Sequence, residues 1–518
     1  MSESATERLW RRAQAYLAEG HVEAGRMALE SLLARDPSNI HAHLVLAGIA
    51  WKEDRMRDAV RHTLDAARFV PDDGLSLLTV ITGLLHVGES AAAWHCLRHP
   101  LFARTSEFNV LAHAAALTHR LGDHVASMDF YDRLQATGMD EPGLCFDRAV
   151  ELSFAGRLDE AETELERLVA KGTTIGRAYL ELARLRRQTP ERNHATLLER
   201  RAAFAAPGSV DKAALEFARY KELEDLGRHD EAWEALARGN ALMAARAPYD
   251  AARQERLHEG VRQAFAGGVP TDDTAREGPV PIFVIGMTRS GTTLVDRILG
   301  NHSQVESAGE LVDFEQQLRH VGGRCTLETL DERIVGRLPG LDYAELGRRY
   351  IEQTRWRANG KPFFVDKLPL NWQFAGPIRR ALPQARIVHL VRDPMDVCFS
   401  NLRAFFGEAH GWSYEQERLA HHYRQYRRMV AHWHAVMPGQ VLDVAYADLV
   451  RDPETTARTV FAFCGLNYEE GSLDLSRNLA PVPTLSMAQV RGGIHANAFE
   501  EWRPYESKLA GLRAALVD

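Results

Sequence analysis

The sequence predicts an α + α/β architecture, in which a helical N-terminal part precedes a domain with a parallel sheet. Residues 1 to about 260 are rich in Ala, Leu, Arg and Glu and contain almost no β-branched runs, which favours helices. From residue 280 onward, short apolar strands are predicted at 282–285, 363–365, 387–391 and 441–444 with helical stretches between them, which is typical of a parallel sheet. Residues 266–279 are dense in Gly, Pro, Thr and Asp and predict a linker. We therefore expect a helical domain at 1–265 and an α/β domain at 280–518.

The composition is that of a water-soluble globular protein, with 45% hydrophobic and 26% charged residues. A net charge of −8 over 518 residues argues against a general nucleic-acid-binding role. The five cysteines are scattered and form no CxxC pair, which predicts reduced thiols and neither a disulfide framework nor a zinc site. The N-terminal segment lacks the apolar core of a signal peptide, and no apolar run is long enough to span a membrane. We expect a cytoplasmic protein without a membrane partner.

The helical part contains a repeated pattern. The sequence from Gly156 to Ala161, GRLDEA, recurs from Gly227 to Ala232 as GRHDEA, and Gly122 precedes Gly156 by 34 positions. A period of 34 with small residues, a turn glycine and a closing proline resembles the tetratricopeptide repeat. The resemblance implies an α-solenoid of about five to seven repeats, which binds a protein or peptide partner or drives self-association. A generic helical bundle is the alternative.

The first chemical motif, GMTRSGTTL at 286–294, directly follows the apolar run 281–285. A buried strand, a glycine-bearing turn and a helix N-terminus together direct backbone N–H groups toward an anion. The spacing of its two glycines matches the first part of a P-loop, but Thr292 and Thr293 stand where a nucleoside triphosphatase has Lys-Ser/Thr. Arg289 is the only cation within the motif. The motif predicts a site for a phosphate-bearing ligand and disfavours metal-assisted cleavage of ATP by a kinase or nucleoside triphosphatase.

The second motif, RIVHLVRDPMDVCFS, spans 386–400 and begins with an apolar strand. Arg392 follows that strand, and Ser400 lies eight residues later on a predicted helix. Ligands bind at the carboxyl ends of the strands in open α/β sheets. Taken alone, an arginine at this place is usually a surface ion pair. Together with the first motif, the guanidinium and the hydroxyl predict a clamp for a second phosphate group.

The two motifs in this order resemble the sulfotransferase superfamily, most closely its tyrosylprotein sulfotransferase-like branch. The resemblance covers about residues 280–505. It implies a P-loop-like α/β domain that transfers a sulfuryl group from 3′-phosphoadenosine 5′-phosphosulfate (PAPS) to a hydroxyl and releases adenosine 3′,5′-bisphosphate. It implies no metal ion.

The resemblance also assigns donor-binding roles to residues of this chain. The 5′-phosphosulfate loop corresponds to Arg289, Ser290, Gly291, Thr292 and Thr293, and the remaining donor contacts correspond to Arg392, Ser400, Tyr446, Ser486 and Arg491. Arg392 and Ser400 would hold the 3′-phosphate, and Tyr446 would lie near the adenosine.

The catalytic base of the family corresponds to Glu310 in SAGEL. Transfer to a hydroxyl requires a group that takes the proton of the acceptor, which a carboxylate can do. Lys367, at the end of the predicted strand 363–365, would neutralise charge on the leaving phosphate. Arg289 and Ser486 complete the expected catalytic set.

The chain departs from the family pattern at three positions, Thr288, Glu501 and Asp366. Thr288 precedes Arg289 where a proline is usual, which alters the rigidity of the loop more than its charge. Glu501 precedes Trp502 where a basic residue usually binds the donor, and Arg503 or Arg491 is the candidate replacement. Asp366 is assigned no role.

Four histidines lie on one predicted amphipathic helix, and we interpret them as structural and not as metal ligands. They are His421, His422, His432 and His434.

The favoured function is therefore a PAPS-dependent sulfotransferase with a hydroxyl acceptor. A peptide tyrosine comes first, because repeats of this kind hold peptides, and a carbohydrate or a small phenol is the next choice. The alternative is a non-enzymatic adaptor built on the repeats, with a nucleotide-sensing or inert α/β domain.

Overall fold

The computed structural model describes residues 4–71, 73–269, 277–477, 480–481 and 499–517. Helices occupy the first half of the chain, and a five-stranded sheet lies in the second half. The structure therefore confirms the change from helices to an α/β pattern that the sequence predicts.

The helices of the first half are arranged as successive short segments. They are α1 (Ala5–Ala18), α2 (Val22–Leu33), α3 (Ile40–Lys52), α4 (Met56–Arg68), α5 (Gly74–Val87), α6 (Ser90–Leu97), α7 (Pro100–Arg104), α8 (Phe108–Leu121), α9 (His124–Ala136), α10 (Pro142–Phe154), α11 (Leu158–Ala170), α12 (Gly176–Leu185), α13 (Ala195–Phe204), α14 (Val210–Asp225), α15 (His229–Arg246) and α16 (Ala251–Ala264).

The second half alternates strands with helices. The strands are β1 (Val280–Gly286), β2 (Val305–Ser307), β3 (Phe363–Asp366), β4 (Arg386–Val391) and β5 (Val441–Ala445). The helices are α17 (Thr292–Gly300), α18 (Asp313–Val321), α19 (Glu332–Arg337), α20 (Tyr343–Thr354), α21 (Ala375–Ala381), α22 (Pro394–Leu402), α23 (Gln416–Val436), α24 (Tyr446–Arg451), α25 (Pro453–Cys464) and α26 (Ala510–Val517). Short 3₁₀ turns include Pro369–Phe374, Gly411–Tyr414 and Arg503–Lys508.

The repeated glycines lie at the turns between paired helices. Gly122 separates α8 from α9 and Gly156 separates α10 from α11, each with φ of +80°. A residue with a side chain adopts this left-handed conformation at a cost, so glycine ends the first helix of a pair. Alanines at the contacts, such as Ala115 and Ala149, are fully buried and let the helices approach closely. These pairs fit the predicted repeat, whose assignment to the tetratricopeptide class remains a prediction.

The chain divides into two compact units. Unit 1 consists of Met1–Gly138 with Val312–Trp356, and unit 2 consists of Met139–Leu311 with Arg357–Asp518. These units follow spatial packing, whereas the predicted domains at 1–265 and 280–518 follow sequence pattern and remain a prediction.

In unit 1, the segment between β2 and β3 packs on helices of the N-terminal half. Ser90 Oγ donates a hydrogen bond to the Asp313 carboxylate, and Glu89 forms an ion pair with Arg349. The rings of Trp94 and Trp356 stack with centroids 4.9 Å apart. Nothing in the local pattern of this segment predicts these long-range contacts.

In unit 2, the sheet is parallel throughout, with strand order β2-β3-β1-β4-β5. Residues of β1 are buried from both faces, which explains its continuous apolar sequence. The predicted strands coincide with β1, β3, β4 and β5. β2 is missing from the prediction because its three residues include Glu306 and Ser307, which do not form an apolar run.

Helices α14 to α16 belong to unit 2, and rings of α14 and of the residue after α16 contact the segment after α22 and helix α23. The Phe217 ring meets the Phe405 ring at 5.4 Å, and the Phe265 ring meets the Trp433 ring at 5.7 Å. Asn240 Nδ2 donates a hydrogen bond to the carbonyl oxygen of Leu402 at 3.1 Å. Leu402, the last residue of α22, lies two positions after the second motif. Its hydrogen bond therefore anchors this end of α22 to a helix that precedes the sheet.

Candidate active site

The first motif forms a tight connection between β1 and α17. Helix α17 begins at Thr292, and its N-cap residue Gly291 has φ of +105°. A Cβ atom at Gly291 would lie 2.5 Å from Cδ2 of Tyr446. The glycine therefore satisfies two requirements, a left-handed backbone and a close approach of the Tyr446 ring to the loop.

Arg289 adopts φ of +70°, an uncommon conformation for a residue with a side chain. Arg392 of the second motif and Asn401, the residue after that motif, hold this part of the loop: Arg392 Nη1 donates to the Arg289 carbonyl at 3.1 Å, and Asn401 Nδ2 donates to the Thr288 carbonyl at 2.7 Å. Arg289 Nε in turn donates to Ser400 Oγ at 3.3 Å. The structure thus brings Arg289, Arg392 and Ser400 together, although Arg289 precedes Arg392 by 103 positions and Ser400 by 111.

The loop carries a concentration of positive charge. Burial first, and then the neighbouring cations Arg403, Arg184 and Arg392, lower the pKa of Arg289 to about 9, while Glu501 opposes them. An anion bound among these guanidinium groups would relieve their repulsion. The electrostatics therefore favour a negatively charged ligand.

Several polar side chains of the loop at 286–294 are buried, and two of their hydroxyl groups make no hydrogen bond within the described residues. Ser290 is fully buried, and within the described residues neither its Oγ nor Oγ1 of Thr288 has a hydrogen-bond partner. Buried polar atoms normally have partners, because an unmade hydrogen bond costs about 1–3 kcal/mol. Thr292 and Thr293 are buried at the N-terminus of α17. These observations fit a loop whose hydrogen-bonding capacity is completed by a ligand.

Tyr446 is the first residue of α24 and lies beside both motifs. Its ring faces the guanidinium of Arg392, whose Cζ lies 4.8 Å from the ring centroid, and the Phe499 ring lies 5.8 Å away. A ring in this position, next to a cation and a glycine turn, is suited to stacking on a planar base.

Glu310 and Lys367 meet at the carboxyl ends of two adjacent strands. Because β2 and β3 pair in parallel, with Ser307 opposite Val365, the residues that follow each strand lie side by side. The Lys367 backbone N–H donates to the Gly309 carbonyl at 2.9 Å, and Lys367 Nζ lies 2.5 Å from Glu310 Oε1. The lysine side chain is 1% exposed and the glutamate side chain 41% exposed. The carboxylate is therefore accessible, while its partner is held within the protein.

Asp296 is a functional candidate that we did not predict. It lies on α17, is buried, and accepts a hydrogen bond from Ser307 Oγ at 2.6 Å. Burial raises the pKa of Asp296, whereas the charges of Arg297 and Lys367 oppose the rise. The available signal in the sequence was a carboxylate at a buried position of the helix after the loop.

The departure at Glu501 has a structural explanation. Its carboxylate forms an ion pair with Arg403, which also contacts Glu224 at 3.3 Å. Arg503 pairs with Glu500 at 2.6 Å and has an exposed side chain. At the position where the family resemblance implies a basic residue, this chain has an acid that neutralises Arg403, one of the arginines around the loop. Ser486 and Arg491 lie outside the described residues.

The histidines of α23 have different environments. His422 is buried, and its ring stacks on Trp412 with centroids 4.1 Å apart. His434 Nε2 lies 2.9 Å from Asp443 Oδ1, which also accepts a hydrogen bond from His389 Nδ1 at 2.8 Å. The sequence spacing within α23 does not reveal this cluster, because His389 and Asp443 come from β4 and β5. Asp366, which has no predicted role, accepts a hydrogen bond from an asparagine of the following turn.

Within the described part of the chain, none of the helices combines the length and the apolar character that crossing a membrane requires.

Three known proteins are similar to parts of this chain. An uncharacterized protein of Aquifex aeolicus (strain VF5) is 30% identical over 376 residues, which cover 69% of this chain and 48% of that protein. The chain thus spans about half the length of this relative. A Caenorhabditis briggsae protein named "Putative protein-tyrosine sulfotransferase" is 25% identical over 236 residues, covering 43% of this chain and 80% of that protein. The solved sulfotransferase domain of the Synechococcus PCC 7002 olefin synthase is 22% identical and covers 45% of this chain and 91% of its own, with a TM-score of 0.31.

Residues 281–470 match the model of the sulfotransferase family. This range contains the loop at 286–294, the Glu310–Lys367 pair, and Arg392 and Ser400 of the second motif. The resemblance inferred from the two motifs is confirmed at this level: residues 281–470 carry a domain of the sulfotransferase family.

Proposed function

We propose that this protein is a sulfotransferase that transfers the sulfuryl group of PAPS to an acceptor hydroxyl. One observation supports this proposal above all: the exposed carboxylate of Glu310 contacts the buried ammonium of Lys367. The contact lies at the carboxyl ends of β2 and β3, on the same edge of the sheet as the loop that follows β1. A base, a cation and a phosphate-type loop are the groups that such a transfer requires.

The residues present fit the donor. The Ser290 hydroxyl, which has no partner among the described residues, and the mutual repulsion of the cations around Arg289 both favour a bound anion. The Gly291 turn lets the Tyr446 ring, which can stack on a planar base, lie against the loop. We assign the 5′-phosphosulfate to Arg289, Ser290, Gly291, Thr292 and Thr293, the 3′-phosphate to Arg392 and Ser400, and the adenosine to Tyr446. Ser486 and Arg491 retain their proposed roles near the donor.

When bound, PAPS supplies the sulfuryl group: a bond forms between its sulfur and the acceptor oxygen, and the bond from sulfur to the oxygen of the 5′-phosphate breaks. The products are a sulfate ester and adenosine 3′,5′-bisphosphate, and one proton leaves the acceptor. Glu310 takes this proton, and its exposure makes it reachable for an acceptor. Lys367 and Arg289 balance the negative charge that develops on the departing side. This scheme uses no metal ion.

A peptide tyrosine is the favoured acceptor, with a carbohydrate or a small phenol as other candidates. The name of the C. briggsae relative supports a tyrosine. We propose that residues 1–265 form a tetratricopeptide-repeat domain that recruits the acceptor, because paired helices of this kind present a surface for extended peptides. The same surface could instead serve self-association.

The test has two steps. Adenosine 3′,5′-bisphosphate should raise the melting temperature of the protein, since a ligand that binds the folded state stabilises it. Labelled sulfate from PAPS should then appear on a phenol, a tyrosine peptide or a sugar. Absence of both the thermal shift and any transfer would overturn the proposal.

The adaptor alternative rests on one observation, the carboxylate of Glu501 within the cation cluster. An acid at this place competes with an anionic donor for the same arginines. Binding of adenosine 3′,5′-bisphosphate without transfer to any hydroxyl, also in the presence of a partner peptide, would favour the adaptor.

A further inference from the structure

The pair of helices α3 and α4 in unit 1 brings two histidine side chains together. His43 lies on α3 and His62 on α4, and their Nδ1 atoms are 3.2 Å apart. The two ring centroids are 5.5 Å apart, and the ring planes form an angle of 47°. His43 is buried and His62 is partly buried, so the two facing nitrogen atoms are shielded from most of the solvent.

The other ring nitrogen of His43 fixes the orientation and the protonation of its ring. His43 Nε2 lies 3.1 Å from the carbonyl oxygen of Pro37, which can only accept a hydrogen bond. Nε2 therefore carries the proton of the neutral ring, and Nδ1 presents its lone pair to His62. Histidines that bind a metal ion are commonly oriented in this way, with the second ring N–H donating to a backbone carbonyl or a carboxylate.

His62 is held in the neutral form, which is the form of imidazole that binds a metal ion. Burial first, and then the charges of Arg61 and His43, lower the pKa of His62 to about 4, while Asp65 and Asp58 act in the opposite direction. At neutral pH the ring of His62 therefore carries a lone pair that a metal ion can use.

Asp65 adds a carboxylate to the two imidazoles. It follows His62 by three positions on α4, so the two side chains lie on one face of the helix. One ring nitrogen of each histidine and one carboxylate oxygen of Asp65 lie within 4.8 Å of one another. Asp65 also pairs with Arg68 at 2.9 Å, but the arginine side chain is 74% exposed. Such an exposed ion pair contributes little free energy and would not keep the carboxylate from a bound ion.

We propose that His43, His62 and Asp65 bind a divalent transition-metal ion, with zinc as the first choice, and that this ion links α3 to α4. The inference goes beyond the proposed sulfotransferase function and does not depend on it. Two ligands of a tetrahedral zinc ion, each bound at about 2.0–2.1 Å, lie about 3.3 Å apart. The 3.2 Å between the two Nδ1 atoms is close to this separation. Imidazole and carboxylate are both zinc ligands, and water can fill the fourth position.

The metal ion takes the place of the proton that the two facing nitrogen atoms share. That proton moves to His62 Nε2, which lies 3.4 Å from Nη2 of Arg61. The Arg61 side chain is 58% exposed and pairs with Asp58 at the surface, so it can turn away from the protonated nitrogen. The binding of zinc therefore requires only a small rearrangement around His62.

The sequence pattern does not reveal this site. The scattered cysteines predict no zinc site, and the proposed ligands include no cysteine. Nineteen positions separate His43 from His62, and only the packing of α3 on α4 brings their rings together.

The experiment measures zinc binding to the full chain after a chelator has removed any bound metal. Titration calorimetry with zinc sulfate should show one tightly bound ion per chain. Zinc should also raise the melting temperature, because it binds the folded state. Magnesium should do neither, since it prefers a shell of oxygen ligands.

His62→Gln should weaken zinc binding by more than about 100-fold, because even the loss of an outer partner of a metal ligand costs about 10- to 100-fold. Asp65→Asn should weaken it as well, since it replaces the charged ligand with a neutral amide of the same shape. Far-UV circular dichroism without zinc shows whether each variant is folded. If His62→Gln does not fold, Asp65→Asn carries the test.

Two matched controls lie on the same helices. His41→Gln changes an exposed histidine of α3, and Arg68→Gln removes the ion-pair partner of Asp65 but none of the ligands. Both variants should bind zinc like the unmodified protein. A failure of the unmodified protein to bind zinc tightly would overturn the site, and so would equal binding by His62→Gln.

A second cluster, formed by His389, His434 and Asp443, tests the location of the ion. His434→Gln should leave tight zinc binding unchanged. Loss of that binding in His434→Gln, with binding retained in His62→Gln, would place the ion at the second cluster and overturn the site between α3 and α4. The proposed sulfotransferase function stands or falls separately, because neither donor binding nor transfer enters these measurements.

Discussion

Lys367 Nζ lies 2.5 Å from Glu310 Oε1, although 57 residues separate the two in sequence. The parallel pairing of β2 with β3 creates this contact, because it aligns the residues that follow the two strands. One side chain is buried and the other is exposed, so the lysine has a fixed position while the carboxylate can reach a bound acceptor. This relationship is the basis of the first prediction.

Glu310→Gln should lower kcat by about 10²- to 10⁴-fold, the usual contribution of a general base. The thermal shift with adenosine 3′,5′-bisphosphate should remain, because Glu310 does not belong to the donor loop. The melting temperature without ligand should fall, since Lys367 then keeps a buried charge without its partner.

Glu306→Gln provides the matched control, because Glu306 lies on the same strand β2 and pairs with Lys361 at 2.8 Å. This variant should keep its activity. Equal losses in both variants would mean that the first change acts through the stability of β2 and not through proton transfer.

Gly291→Ala should abolish binding of adenosine 3′,5′-bisphosphate. The added Cβ atom would meet the Tyr446 ring at 2.5 Å, in a backbone conformation with φ of +105°. Either the ring or the loop must move, and both are proposed to contact the donor. The measurement is the thermal shift across a series of ligand concentrations.

Gly439→Ala separates the effect of a side chain at positive φ from the effect of a contact with the Tyr446 ring. Gly439 also has positive φ, +75°, but a Cβ atom at this position would meet nothing within 4 Å, so the variant reports the conformational cost alone. This variant should lose some stability and bind the ligand normally. A Gly291→Ala protein with unchanged ligand affinity would contradict the assigned loop.

Glu501→Gln should lower the melting temperature of the free protein and enlarge the shift caused by adenosine 3′,5′-bisphosphate. The change removes the acid that pairs with Arg403 and opposes the repulsion acting on Arg289. The remaining cations then repel one another more strongly in the free protein and attract an anion more strongly. The effect should weaken with added salt.

Glu506→Gln is the comparison, since Glu506 lies nearby in sequence and pairs with Arg513 at 2.6 Å. This variant should change neither the melting temperature of the free protein nor the shift caused by adenosine 3′,5′-bisphosphate appreciably. A reduced ligand shift in Glu501→Gln would mean that Glu501 assists donor binding and does not compete with it.

The free energy of unfolding should decrease as the pH falls below about 6.5, with His258 as one contributor. Burial lowers the pKa of His258 to about 4. Between these values the unfolded chain binds a proton that the folded protein does not bind, so acid favours unfolding, by up to about 1.4 kcal/mol per pH unit. His258→Gln should reduce this slope in urea titrations between pH 6.5 and pH 4.

His21→Gln, a change at an exposed histidine, should leave the slope unaltered. If both variants show the slope of the unmodified protein, the pH dependence arises from other groups. The buried ring of His258, which lies 3.1 Å from Gln373 Oε1, would then titrate normally despite its burial.

Several features were predictable because their physical basis is local. The apolar run of β1, the glycine turn and the start of α17 follow one another along the chain, so their pattern is visible without a fold. The same holds for β4 with Arg392, and for the turn glycines between paired helices. β2 was missed because three residues with polar members carry no periodic signal.

Other features depend on residues that are distant in sequence. The packing of 312–356 on helices of unit 1, the neutralisation of Arg403 by Glu501, and the placement of Asp296 beside Ser307 have no local signature. The cluster of His389, His434 and Asp443 likewise forms across two strands and a helix.

The sequence by itself determined the succession of helices and strands, the glycine turn between β1 and α17, and the resemblance of residues 281–470 to the sulfotransferase family, because hydrophobic periodicity and glycine spacing act over a few residues. Only the tertiary structure decided which charges meet. It placed Lys367 against Glu310 and put the carboxylate of Glu501 among the arginines around Arg289. Electrostatic and ring contacts act through space, and the order of the parallel strands, not the order of the sequence, sets the distances between these groups.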